Sequence, residues 1–95
     1  MRERDVERYL CRKVEELGGW AIKLTSPAQT GLPDRLVVWR DGTVWFVEVK
    51  APGKALRPQQ RAVMRRLETI LNQVCAVVDS IEAVDWLLKL EDTRG

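Results

Sequence analysis

Pro33-Asp34 and the triplet Glu48-Val49-Lys50 place two carboxylates and one ammonium in an otherwise apolar stretch, GLPDRLVVWRDGTVWFVEVKAPG. Side chains alternate across a strand, so Glu48 and Lys50 share the face of Val44 and Phe46, which reads as core, and charges there need a reason. Two carboxylates at facing strand ends, with the Val49 carbonyl between Glu48 and Lys50, make a hard oxygen set suited to Mg²⁺ or Mn²⁺. A metal in such a set lowers the pKa of its water and polarises a phosphoryl oxygen. A lysine ammonium beside it can orient the attacking hydroxide or stabilise the pentacovalent transition state. The chemistry is phosphodiester hydrolysis without histidine. The chain has no histidine, which excludes Ser/His/Asp triads, histidine general bases and histidine metal sites.

The plainer reading is an ion pair at a strand end with Asp34 as an ordinary turn residue, and strand register separates the two. A two-residue Asp41-Gly42 turn pairs Arg40 with Thr43 and Asp34 with Val49, sending the carboxylates to opposite faces. A three-residue loop with Gly42 as a left-handed bulge pairs Trp39 with Thr43 and Asp34 with Glu48, on one face. The second register is favoured because it also stacks Leu36 on Phe46 and Val38 on Val44.

The elements that must hold these residues follow from periodicity. Val6, Leu10, Val14 and Leu17 stripe a helix over Glu3 to Leu17 that Gly18 and Gly19 end. Trp20 to Leu24 is a strand and Thr25 to Pro33 a loop, and Leu36 to Trp39 and Thr43 to Val49 form the hairpin. Pro58 starts a second helix that packs on the sheet, with Val63, Leu67, Ile70, Leu71 and Val74 at helical spacing. The apolar run Val74 to Asp79 predicts a strand buried on both faces. Asp79 with Glu82 offers a capping-box-like start to a last helix over Ile81 to Leu90, and Glu91 to Gly95 is expected to fray. A right-handed crossover makes the fourth strand parallel to the third. The expectation is an α/β fold, α-β-β-β-α-β-α, with a four-stranded mixed sheet flanked by helices, as one domain over residues 1–95.

Cys11 and Cys75 lack any CxxC spacing and read as small core hydrophobes. No signal-like or membrane-length apolar segment is present, so the expectation is a cytoplasmic protein without a membrane partner or small-molecule cofactor. The net charge is only +2. Between Ala51 and Leu67, however, Lys54, Arg57, Arg61, Arg65 and Arg66 stand with no acid, a stripe suited to phosphates on DNA, though such runs are often simply solvated. Trp20, Trp39, Trp45 and Trp86 read as core or interface rather than base-stacking residues.

Asp34, Glu48 and Lys50 resemble the restriction-endonuclease-like PD-(D/E)XK core. The surrounding text, SPAQTGLPDRLVVWRDGTVWFVEVKAPGKALRPQQ, resembles the virus-type replication-repair nuclease (VRR-NUC) family from the first helix to the last. The resemblance implies a metal-dependent, structure-selective DNA endonuclease acting as a homodimer on branched DNA such as four-way junctions, in a bacterial or phage-infected cell. It assigns Asp34, Glu48 and Val49 to the metal and Asp34, Glu48, Lys50 and Gln60 to catalysis, together with the family's first-helix acid, carried onto Glu7 or Glu3. Of these two, Glu7 lies one turn further in and is preferred. Gln60 matches the family's helix glutamine, on the flank of Met64, Leu67 and Leu71, where its amide could hold a phosphate oxygen or the attacking water, the plainer reading being helix-start capping or a surface polar residue. Lys23 matches a position read as a phosphate contact. With Lys54, Arg57, Arg61 and Arg65, Lys23 completes the expected DNA-binding set.

A dimer would also cover apolar surface that a small core leaves exposed, with Trp86, Leu87, Leu88 and Leu90 as candidates, the alternative being that all four pack within the monomer. The rival expectations are a non-catalytic nucleic-acid-binding module of the same fold and, third, a structural or assembly protein.

Overall fold

The computed structural model describes residues 1–94, with side chains through Lys89. The chain builds α1 (Glu3–Glu16), β1 (Trp20–Lys23), β2 (Arg35–Val38), β3 (Val44–Val49), α2 (Pro58–Arg65), β4 (Val74–Val78) and α3 (Ile81–Arg94). The fold is α/β in the expected order, with strand boundaries displaced by a residue. The sheet order is β1-β2-β3-β4, antiparallel except for the parallel β3 and β4. No helix among the described residues is long and apolar enough to cross a membrane.

α1 buries Val6, Leu10 and Val14 completely, while the Gly18 and Gly19 N–H groups close its end on the Glu15 and Val14 carbonyls. Against that stripe lie Ala21, Val37, Trp39, Trp45, Val47, Val49 and Val78 of the sheet region and Val84, Leu87 and Leu88 of α3. The core face of β3 is therefore Trp45, Val47 and Val49. The face shared by Val44, Phe46, Glu48 and Lys50, expected to be core, is instead the opposite one, with Val44 and Phe46 only half-buried.

The hairpin adopts the three-residue loop. Trp39 N–H donates to the Thr43 carbonyl at 2.9 Å and Gly42 N–H to the Trp39 carbonyl at 3.0 Å, with Gly42 at φ +88°. Val38 faces Val44 and Leu36 faces Phe46, so the same register carried two residues further sets Asp34 across from Glu48.

Several expectations are corrected. β4 is an edge strand rather than one buried on both faces; Val74, at its start on the core face, and Val77, on the Glu48 face, both stay exposed. In α2 the buried residues are Gln60 and Met64. Helical spacing from Val63 through Leu71 fails because the chain widens into a π-helical turn at Arg66–Ile70, leaving Ile70 and Leu71 exposed. Ser80 rather than Asp79 caps α3, its Oγ accepting the Ala83 N–H at 3.0 Å. α3 runs on to Arg94, past the expected end at Leu90; Gly95 lies outside the described residues.

Trp39 and Trp45 are core, packed edge to face at 5.2 Å, but Trp20 and Trp86 are exposed. Leu87 and Leu88 belong to the core and not to an uncovered face, and the Leu90 side chain lies outside those described. Both cysteines are free and half-buried.

Candidate active site

β2 begins at Arg35, and Asp34 just before it continues the ladder in another form. Its carbonyl accepts the Leu24 N–H at 2.9 Å, and its carboxylate Oδ2 accepts the Val49 N–H at 2.8 Å. A side chain thus replaces a backbone rung where the strands part, which orients the carboxylate towards the end of β3. The next rung on β3, Lys50 N–H to the Val78 carbonyl at 2.9 Å, ties the Glu48-Val49-Lys50 triplet to β4.

Glu48 is only 3% exposed, on the α2 side of the sheet. Its Oε2 accepts Gln60 Nε2 at 2.8 Å and faces Lys50 Nζ at 3.5 Å. Gln60 cannot turn freely, because its Oε1 accepts the Arg57 N–H at 2.9 Å at the start of α2; one amide both caps the helix and holds the carboxylate. Glu48 Oε1 is buried and has no hydrogen-bond partner among the described residues. Burial first, and the facing Asp34 carboxylate second, push the Glu48 carboxyl up to about 7, against the opposing pull of Lys50.

An orphaned carboxylate oxygen and two crowded acids offset by one lysine make a site short of positive charge. The donors fit a hard divalent cation. No group of three or more acidic, histidine or cysteine side chains converges among the described residues. The set is therefore two carboxylates and whatever the backbone adds, the sparse ligation that suits Mg²⁺, which keeps several of its waters.

Asp34, Glu48, Lys50 and Gln60 meet at this point. Glu7 and Lys23 meet elsewhere. Glu7 Oε2 pairs with Arg35 Nε at 2.9 Å and with Lys23 Nζ at 3.6 Å, and Arg35 Nη1 also donates to the Ala21 carbonyl at 3.1 Å. Arg35 pairs with Val47, one residue before Glu48, so alternation points it to the α1 face, opposite Glu48. Glu3 is exposed in the first turn of α1. Arg35 was missed by sequence reasoning. The available signal was the alternation that sends the residue after Asp34 to the face covered by α1, where Glu7 sits.

Lys54, Arg57, Arg61 and Arg65 are all exposed. Arg61 and Arg65 line a groove of about 770 Å³ between α2 and β4, floored by Met64, Cys75 and Val77. The basic residues therefore flank the Glu48 cluster on its own side of the sheet.

The sequence matches the VRR-NUC domain over residues 2–79. It is 42% identical over 80 residues to "Putative nuclease p44" of Acyrthosiphon pisum secondary endosymbiont phage 1, covering 84% of this chain and 85% of that protein. A solved structure described as a VRR_NUC domain superposes with a TM-score of 0.85 at 33% identity, over 92% of this chain and 94% of that one.

Proposed function

The chain belongs to the VRR-NUC domain family, and on that premise we propose that it is a Mg²⁺- or Mn²⁺-dependent endonuclease that hydrolyses phosphodiester bonds in branched DNA, of the four-way-junction kind, as a homodimer. Its setting is DNA repair or recombination in the cytoplasm of a bacterial or phage-infected cell. The observation that carries the reading is the Asp34, Glu48 and Lys50 cluster with its orphaned Glu48 oxygen. The similarity to a phage protein named as a nuclease supports it.

Asp34, Glu48 and the Val49 carbonyl would hold the metal, which supplies a polarised phosphoryl oxygen and a water of lowered pKa. The chain's own groups do the rest. Lys50, held beside Glu48, orients the attacking water and offsets negative charge as the water oxygen bonds to phosphorus and the bond to the leaving oxygen breaks. Gln60 fixes the Glu48 carboxylate. Arg61 and Arg65, with Lys54 and Arg57, bind phosphates of the flanking duplex, an affinity that falls steeply with salt and carries no sequence preference. Glu7 serves by bracing Arg35 and Lys23 at the neighbouring strand ends, where Lys23 is open to a phosphate.

Two active sites in a two-fold dimer place cuts symmetrically on a branched substrate. The test is incubation of the purified protein with labelled four-way junction, flap, splayed-arm and linear duplex DNA in Mg²⁺, Mn²⁺ or EDTA, with light scattering for the assembly. Metal-dependent cutting of the branched forms is expected. Binding without cleavage in either metal would leave the non-catalytic module as the function, and a monomer mass with and without junction DNA would remove the dimer.

A further inference from the structure

Trp20 has no part in the core or in the Glu48 cluster, yet it stands 67% exposed at the head of an edge strand, while Trp39 and Trp45 are 3% exposed. A large indole left in water costs apolar burial, which marks the position as one that a ligand can cover. It borders a cleft of about 470 Å³ between α1 and β1, lined also by Arg4, Glu7, Arg8, Glu15 and Arg35.

The charge of this cleft is positive. Glu7 is offset by Arg35 and Lys23. Arg4 and Arg8 are one helical turn apart and exposed, and neither has an ion-pair partner among the described residues; Glu15 is the remaining acid. Two free guanidinium groups call for anions with planar oxygens, and an open indole calls for a flat π-face. An unpaired nucleotide strand supplies both, repeatedly and at short spacing.

The cleft lies on the α1 face, opposite Glu48, and the edge strand β1 stands between it and Asp34; Trp20, which pairs with Val38 on the Glu48 face, marks that edge. β1 runs from Trp20 to Lys23, and the next residue, Leu24, donates its N–H to the Asp34 carbonyl. Three residues of strand cover about 10 Å, a span that a few unpaired nucleotides bridge. An unpaired strand that rounds the β1 edge from Asp34 therefore reaches Trp20 within a few nucleotides.

Resting on the nuclease reading above, we infer that the cleft between α1 and β1 binds an unpaired stretch of the DNA substrate that rounds the β1 edge a few nucleotides from the scissile phosphate, with Arg4 and Arg8 on phosphates and Trp20 stacked on a base. The enzyme then grips its substrate on both sides of the sheet: duplex along α2, single strand along α1 and β1. Branch points are where the two forms adjoin, so the second grip selects for branching.

The experiment measures fluorescence anisotropy in EDTA, where binding is read without cleavage, with a labelled single-stranded oligonucleotide and with its blunt duplex. Trp20→Ala should weaken the single strand about 5- to 150-fold and leave the duplex nearly unchanged, because one base-stacking contact is lost. Trp20→Phe should retain most of the affinity. Arg4→Ala with Arg8→Ala should lower the salt slope for the single strand by up to about two units. Trp20 is exposed, so thermal melting should show these variants folded. Equal losses on both DNAs, or no loss on the single strand, would overturn the inference, as would a Trp20→Ala change confined to the mass of the protein, which would mark a contact between copies. Cleavage scored separately in Mg²⁺ keeps the two ideas apart: an active nuclease with Trp20-independent binding loses only the cleft, and Trp20-dependent binding without cleavage loses only the nuclease.

Discussion

Gln60 Nε2 lies 2.8 Å from Glu48 Oε2, joining the first turn of α2 to the end of β3 through two buried side chains. The other end of the same amide holds the Arg57 N–H. Removing it leaves two groups short of a partner. Gln60→Ala should cost about 1–3 kcal/mol in denaturant unfolding, since a buried acceptor and a helix cap are lost together. Cleavage should fall further than the stability loss explains, because Glu48 is freed to turn. Full activity in a folded Gln60→Ala protein would separate the amide from the reaction.

The raised Glu48 carboxyl makes the metal-free protein sensitive to pH. A group whose folded pKa is about 7, against 4.5 ordinarily, favours the folded state fully below the ordinary value and loses that contribution as pH rises through about 7. Metal-free protein should therefore lose on the order of 3 kcal/mol between pH 5 and 8 from this group. Melts in EDTA across that range should show the loss in the wild type and not in Glu48→Gln. Addition of Mn²⁺ at pH 8 should raise the wild-type melting temperature and leave that of Glu48→Gln nearly where it was.

How far these residues were visible in the sequence depended on what each one answers to. Asp34, Glu48 and Lys50 announced themselves as charges among β-branched and aromatic neighbours, and the Arg40-Asp41-Gly42 turn set their register locally. Gln60 was reachable because it shares a helix flank with Met64, and that flank is the buried one. Other features are decided by tertiary context. Val63, Leu67, Ile70 and Leu71 keep an α-helical period that the π-helical turn at Arg66–Ile70 disrupts. β4 reads as a central strand because its residues are apolar, but strand order places it at the edge. Leu87 and Leu88 read equally as interface or core, because nothing local shows that α3 and α1 meet over one face of the sheet. Glu7 carries no local sign of its partner, since Arg35 reaches it from β2.

Asp34→Asn should separate stability from activity. Asparagine Oδ1 can still accept the Val49 N–H, so the rung survives, while the like charge facing Glu48 disappears. The Glu48 carboxyl should move back towards its ordinary range, and the metal-free protein at pH 8 should gain on the order of 1 kcal/mol. Cleavage should nevertheless fall by orders of magnitude with DNA binding retained, since a ligand charge has gone. Undiminished cleavage by the folded variant would remove Asp34 from the site.

Gly31 tests whether the loop before Asp34 sets the distance between the two halves of the site. It sits at φ +84°, and a Cβ there would stand 3.0 Å from the carbonyl oxygen and Cγ of Gln59, the residue before Gln60. Gly53 is the control: its φ is +80°, but an added Cβ meets nothing within 4 Å. Alanine at either position carries the same backbone strain, on the order of 1–2 kcal/mol. Only Gly31→Ala must also push the loop and α2 apart, and α2 carries the amide that holds Glu48. Both variants should therefore lose similar stability in denaturant titrations, with Gly31→Ala somewhat the worse. In single-turnover cleavage Gly31→Ala should fall at least about tenfold below Gly53→Ala, the effect of roughly 1.4 kcal/mol at the transition state. Matching rates in the two variants would show that the loop contact positions nothing the reaction needs.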